Sequence, residues 1–299
     1  MMDTLRLGLE WFLNPDHLPF LIGQEKGWFG ARNLRVELVE PAEHLDAFEA
    51  IQSGELDLAI TEPIHLAEDV AKGHDVVGFA RILHTNGGVM TLQTSGIERP
   101  RDMAGKRVHY PGAPGPGGIA IVSTMIEADG GKPGELVPVN NGFHHTDALI
   151  EGKADVATLA FYNFELVEAE HRGYPARLFA LKDWGIPDYC QLVLVTTSDR
   201  LKEKEHALRQ LLTVVIRGMD FIHQHPDEAR EIYFRRTNTE PDDALMSAIF
   251  RATVPCFTFD LTMSEAYWTH LSSWAQSRGL ITSPVTADAC WRNHLSIDP

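Results

Sequence analysis

Two hydrophobic periods alternate along this chain. Residues 5–10 and 34–39 place apolar side chains at every second position, the period of a half-buried strand. Between them Leu18, Leu21 and Ile22 follow helical spacing; Asn14-Pro15-Asp16 supplies a turn, Asp16 a cap, and Gly27 the helix end. The pattern continues with a helix over 45–52, a strand over 56–60, a helix over 64–72 closed by Gly73, and strands over 76–82 and 89–93. After a turn and short helix at 100–106 it resumes with strand 107–110, a Gly/Pro-rich loop at 112–118, helix 119–128, strand 136–139, helix 146–151 and strand 156–159. Helix 164–170 and strands 177–181 and 191–197 follow. From Lys202 onward the pattern predicts long helices over 207–224, 226–234, 242–253 and 264–278, with Leu208, Leu211, Leu212, Val215 and Ile216 on one face.

Residues 49–60 read EAIQSGELDLAI and residues 147–158 read DALIEGKADVAT. The two stretches share Ala50/Ala148, Gly54/Gly152, Asp57/Asp155 and Ala59/Ala157. Each reads as a helix end, a Gly that stops it, a turn and a small apolar strand. Two copies this far apart predict two similar α/β lobes with mostly parallel sheets and a helical C-terminal segment. The tail is expected to pack back on lobe one, giving residues 1–92 plus 196–299 as lobe one and 93–195 as lobe two. A cleft between similar lobes is the expected binding site.

Composition narrows the partners. The 299 residues carry a net charge of −16, which argues against nucleic acid, whose phosphates need clustered Lys and Arg. No apolar run is long enough to span a bilayer, so no membrane insertion is expected. The opening MMDTLRLGLEWF lacks the basic and apolar regions of a secretory signal. The expected location is cytoplasmic for the sequence as it stands, and periplasmic if an export signal has been removed. Cys190, Cys256 and Cys290 form no CxxC pattern and read as buried thiols.

Four places carry candidate chemistry. Trp11 and Phe12 at the end of the first strand can stack on a flat ring, while Asn14, Asp16 and His17 can hydrogen-bond its edge; alternatively Trp11 closes the core and the rest merely turn. The 112–118 loop opens a helix, where backbone N–H groups favour an anion, or it is simply a rigid turn. Glu165, in the segment Tyr162-Asn163-Phe164-Glu165, can accept from a ligand amino group, or it is a first-turn residue suited to the helix dipole. His65 and the pair His144-His145 can shuttle protons or serve as solvated or capping groups. No histidine spacing suggests a metal, and no GxSxG elbow is present.

The opening LEWFLNPDHLPFLIGQEKGWF, the SGELDLAI step, the Gly-rich loop and FYNFELVE resemble the thiamine-pyrimidine-precursor branch of periplasmic-binding-protein folds over roughly residues 4–235. That branch includes formylaminopyrimidine-binding proteins and the pyrimidine precursor synthase. The resemblance implies a type II periplasmic-binding-protein fold, a planar heteroaromatic ligand, and, for a transport role, an ABC permease as partner. It places Trp11 as the stacking aromatic and Tyr162, Asn163 and Glu165 as the amino-reading segment. It puts Gly112, Gly115 and Gly117 where the synthase holds the phosphate of pyridoxal phosphate, and His65 where the synthase keeps the histidine it consumes. The synthase has a Lys four residues before that histidine. Here the position is Thr61, and residues 51–71 contain no Lys. No cofactor is therefore expected for a binding protein, and pyridoxal phosphate only for a synthase.

Overall fold

The computed structural model describes residues 2–41, 47–110 and 116–295. Its strands are β1 (Asp3–Gly8), β2 (Leu34–Val39), β3 (Leu58–Thr61), β4 (Val77–His84), β5 (Gly87–Leu92), β6 (Arg107–His109), β7 (Val137–Val139), β8 (Val156–Phe161), β9 (Ala176–Ala180) and β10 (Gln191–Thr196). Helices α1 (Leu18–Glu25), α2 (Ala47–Gln52), α3 (Pro63–Ala71), α4 (Pro116–Ala128), α5 (His145–Ile150) and α6 (Glu165–His171) alternate with them. The tail holds α7 (Ser198–Glu203), α8 (Glu205–Gln224), α9 (Pro226–Thr237), α10 (Ala244–Thr253), α11 (Glu265–Ser277) and α12 (Ala287–Cys290). The helix expected over 45–52 is described from Ala47; residues 45 and 46 lie outside the described residues.

The chain divides into two compact units. One is Met1–His84, Gln191–Ser273 and Ile281–Pro299; the other is Thr85–Cys190 and Trp274–Leu280. The first unit's sheet has the order β2-β1-β3-β10-β4. β1 pairs parallel with β2 and β3, and β10 pairs antiparallel with β3 and β4, so β10 alone opposes the common direction. The second sheet, β7-β6-β8-β5-β9, repeats the plan with β5 as the reversed strand. These pairings put the boundaries at 84/85 and 190/191 rather than at 92/93 and 195/196, because β5 bonds to β8 and β9 while β10 bonds to β3 and β4. Trp274–Leu280 groups with the second unit, where Trp274 Nε1 donates to Thr124 Oγ1 and Arg278 pairs with Glu127 at 2.7 Å.

The sequence repeat has a physical basis. Gly54 and Gly152 both take positive φ, +83° and +67°, after α2 and α5. The N–H of Leu56 then returns to Ala50 O, and that of Ala154 to Ala148 O. Asp57 Oδ2 accepts the N–H of Arg6 on β1 at 2.8 Å, and Asp155 Oδ2 accepts that of Arg107 on β6 at 2.8 Å. Each aspartate's own N–H donates back to the same arginine's carbonyl. The repeated aspartate therefore aligns β3 against β1 in one unit and β8 against β6 in the other, which sets the parallel register.

Leu5, Leu7 and Leu9, spaced by two, enter the first core with Phe20, Leu21 and Ile22 of α1. Leu208, Leu211, Leu212, Val215 and Met219 of α8 meet them from one helical face. The close approach of α1 and α8 needs Gly218, where a Cβ would lie 2.7 Å from Pro19 O. In the second unit Met90, Ala148, Leu149, Ala157, Ala160 and Ala169 pack together in one buried cluster. Cys190 and Cys290 are buried. Among the described residues no helix is long and apolar enough to cross a membrane.

Candidate functional site

Each sheet has one switch point, where connections from neighbouring strands leave in opposite directions, and ligands of open α/β sheets bind outside the strands' carboxyl ends there. In the first unit it lies between β1 and β3. Trp11 follows β1, and Thr61 ends β3. Trp11 is half-buried with its ring 4.3 Å from that of Phe12, and it is not part of the core that Leu9 and Leu13 enter.

Asn14 and His17 do not present ring-edge contacts; both are fully buried in the loop that carries Trp11. Asn14 Oδ1 accepts from Asp16 N–H at 2.8 Å, and Asn14 Nδ2 donates to Phe12 O at 3.0 Å. His17 Nδ1 accepts from Asn14 N–H at 3.2 Å, while Nε2 meets the Glu10 carboxylate at 3.0 Å. Burial lowers the His17 pKa, and the charge and hydrogen bond of Glu10 outweigh it to leave a net rise. The Asn14 N–H aimed at Nδ1 favours the tautomer with its proton on Nε2. These two side chains therefore shape the loop from within.

His65 lies in the first turn of α3, its Nδ1 2.9 Å from Glu62 Oε2. Burial, the largest single influence, lowers its pKa, but the hydrogen bond and charge of Glu62 together with the charges of Glu68 and Asp69 outweigh it and raise the value to about 9. At neutral pH it is an imidazolium paired with a carboxylate.

In the second unit the switch point lies between β6 and β8. His109 ends β6, and Thr158 Oγ1 on β8 donates to His109 O at 2.8 Å, tying the strands together. The first turn of α4 packs here. A Cβ on Gly117 would lie 3.0 Å from the Tyr110 ring, and one on Gly118 would lie 3.0 Å from Tyr110 Cβ. Gly117 is thus explained by packing as well as by its place at a helix N-terminus; Gly112 and Gly115 lie outside the described residues. An open pocket of about 570 Å³ runs along α4 past Ile119, Ser123, Pro138 and Arg278, and Pro116, the last proline of the 112–118 stretch, lines its end.

β8 carries a strained residue. Leu159 is buried with φ +51°, where the register against β5 shifts. The turn after it aims Tyr162 outward, 57% exposed, and turns Asn163 and Glu165 inward at 1% and 2%. Thr85 Oγ1 donates to Asn163 Oδ1 at 3.0 Å, so the carbonyl end of Asn163 is engaged within the unit. Phe161 N–H donates to Glu165 Oε2 at 2.8 Å. Glu165 Oε1 faces His145 Nδ1 at 3.6 Å, and that nitrogen donates to Phe143 O at 3.1 Å. The His109 ring stands edge-on to His145, centroids 5.1 Å apart at 80°. Burial first, and the facing His109 second, lower the His145 pKa to about 3; burial also lowers that of His109. Sequence reading missed His109 and the role of His145. The only signal was their position, one within the predicted strand over 107–110 and one just before the predicted helix over 146–151. Among the described residues no group of three His, Cys, Asp or Glu is arranged to hold a metal ion.

Comparison with known proteins places this geometry. The formylaminopyrimidine-binding protein of Halalkalibacterium halodurans is 25% identical over 296 residues, covering 96% of this chain and 89% of that protein. A 4-amino-5-hydroxymethyl-2-methylpyrimidine phosphate synthase of Legionella pneumophila is 26% identical over 302 residues, covering 100% and 94%. Among solved structures, the alkanesulfonate-binding protein of Xanthomonas axonopodis pv. citri superposes with a TM-score of 0.75 at 14% identity over 97% of this chain and 98% of that one. A Candida albicans protein with the generic periplasmic-binding-protein fold gives 0.68 at 16% identity over 99% of each. The expected two-lobe α/β class is therefore the fold observed. The NMT1/THI5-like family model matches residues 14–229, and the chain belongs to that family.

Proposed function

We propose that this protein binds a small planar heteroaromatic, a thiamine-related aminopyrimidine, in the manner of a solute-binding protein. The observation that carries the reading is Glu165. It is a buried carboxylate at the carboxyl end of β8, fixed by Phe161 N–H and placed beside the second unit's switch point. A buried carboxylate accepts from an amino group more strongly than a neutral acceptor does. In this reading exposed Tyr162 offers an aromatic face and the N-terminus of α4 at Gly117 favours a polar or anionic substituent, while Trp11 is the first unit's own candidate stacking ring. The name of the Halalkalibacterium relative supports the ligand class. An ABC permease is the partner this reading implies, with the protein working in the periplasm if it is exported.

A second reading, synthesis of the pyrimidine precursor, is favoured by the Legionella relative, which matches the whole chain. The residues here do not fit pyridoxal phosphate as that chemistry needs it. Thr61 offers no amine, and His65 is held as a cation by Glu62. The binding reading therefore needs no cofactor. Calorimetry with 4-amino-5-hydroxymethyl-2-methylpyrimidine tests it: Glu165→Ala should weaken binding about 10- to 100-fold, the loss expected for a hydrogen bond to a charged group. Unchanged affinity would overturn the role of Glu165. A lysine adduct trapped by borohydride after adding pyridoxal phosphate, with precursor formed, would favour the synthase.

A further inference from the structure

The buried histidines behind Glu165 have no part in the reading above, yet burying imidazoles is costly unless they do something. His109 is fully buried, and neither ring nitrogen closes a full hydrogen bond among the described residues; the Val139 backbone is the one hydrogen-bonding influence on it. His145 is 4% exposed. Its Nδ1–H donates to Phe143 O at 3.1 Å, and the same nitrogen lies 3.6 Å from Glu165 Oε1. The second distance is beyond a hydrogen bond but within reach of one after a small side-chain movement, as contacts in ligand-free sites often are. Phe143 itself is fixed by its bridge to Asn141, whose Nδ2 donates to His144 O. The His109 ring closes the other side of His145, edge to face.

We infer that His145, backed by His109, is the positioning residue for Glu165: its single N–H steers Oε1 while Phe161 N–H holds Oε2. With Oε2 held and Oε1 steered, the carboxylate has one plane available to a ligand amino group. A preset acceptor loses less entropy on binding than a rotating one. The inference rests on the aminopyrimidine reading only for its consequence in affinity; the orientation itself is a property of the free protein.

The experiment therefore has two arms. In the ligand-free protein carrying 13C-labelled glutamate side chains, the Glu165 carboxyl resonance is assigned by its loss in Glu165→Gln. It should move in His145→Ala and return toward its original position in His145→Asn, which keeps a donor near the Nδ1 site. In the second arm, calorimetry with 4-amino-5-hydroxymethyl-2-methylpyrimidine should show about 10-fold weaker binding in His145→Ala and near-recovery in His145→Asn. In a Glu165→Gln background, His145→Ala should add little, because its effect passes through the carboxylate. An unmoved resonance in His145→Ala overturns the inference. A moved resonance with Glu165→Gln affinity unchanged leaves the positioning standing and overturns the binding role of Glu165. If His145→Ala does not fold, His145→Asn is compared with His145→Gln, whose donor sits near Nε2; identical Glu165 resonances in those two overturn it.

Discussion

Acid should destabilise this protein through His145, and replacing that residue should remove a defined part of the effect. Its folded pKa lies at about 3, lowered by burial and by the facing His109, against 6.5 for an ordinary histidine. In the window between those values the unfolded chain binds a proton that the folded chain excludes. Stability from this group is therefore present above 6.5 and lost as pH falls toward 3. Going from pH 7 to pH 5 protonates the unfolded histidine across about 1.5 pH units, worth roughly 2 kcal/mol at about 1.4 kcal/mol per unit. This figure depends only on the folded pKa lying below the window, not on its depth. Urea unfolding at both pH values, followed by tryptophan fluorescence, measures it in the original protein and in His145→Asn. Asp129 and Asp155, also lowered, are common to both proteins and cancel in the difference, whereas His109 faces His145 and is read together with it. The original protein should lose about 2 kcal/mol more than the variant between the two pH values. Equal losses would mean that His145 is not held neutral, and the electrostatic description of the second switch point would fail.

His65 should act with the opposite sign. Its folded pKa of about 9 means that its pairing with Glu62 stabilises fully below 6.5 and fades as pH rises toward 9. His65→Gln should therefore cost on the order of 2 kcal/mol at pH 6 and much less at pH 9.5, read as thermal or urea midpoints. Asp57→Asn and Asp155→Asn should each lose roughly 1–3 kcal/mol in urea unfolding, because each leaves a strand-aligning backbone N–H with a weaker acceptor; a neutral result at either would deny the alignment role. Gly218→Ala should destabilise by about 1–3 kcal/mol, because the added methyl meets Pro19 O at 2.7 Å and forces α1 and α8 apart. Unchanged stability there would show that the helices can separate without loss.

The alternation of strand and helix, the two-lobe organisation and the helical tail were legible because period and glycine placement are local properties. The repeat was legible for the same reason, and Gly54 and Gly152 do stop helices at matching positions. The part played by Asp57 and Asp155 was not, since their partners Arg6 and Arg107 lie 51 and 48 residues away. Unit boundaries were misplaced by several residues because β5 and β10 look like any other strands until their pairing is known. From the sequence Asn14 and His17 suit either a ligand's edge or a turn, because a polar residue in a loop looks available. Only packing shows that the loop uses both of them up.

By itself the sequence determined the class of fold and the absence of an amine side chain at Thr61. These follow from short-range spacing and from the identity of single residues. Tertiary structure decided which polar groups meet: Glu165 with His145, His145 with His109, His65 with Glu62. Burial then set their protonation, since the cost of keeping a charge depends on what has displaced the surrounding water and on which partner stands within a few ångströms. Among these pairs, those that span separate elements depend on strand order, and strand order is not written in any local stretch of the chain.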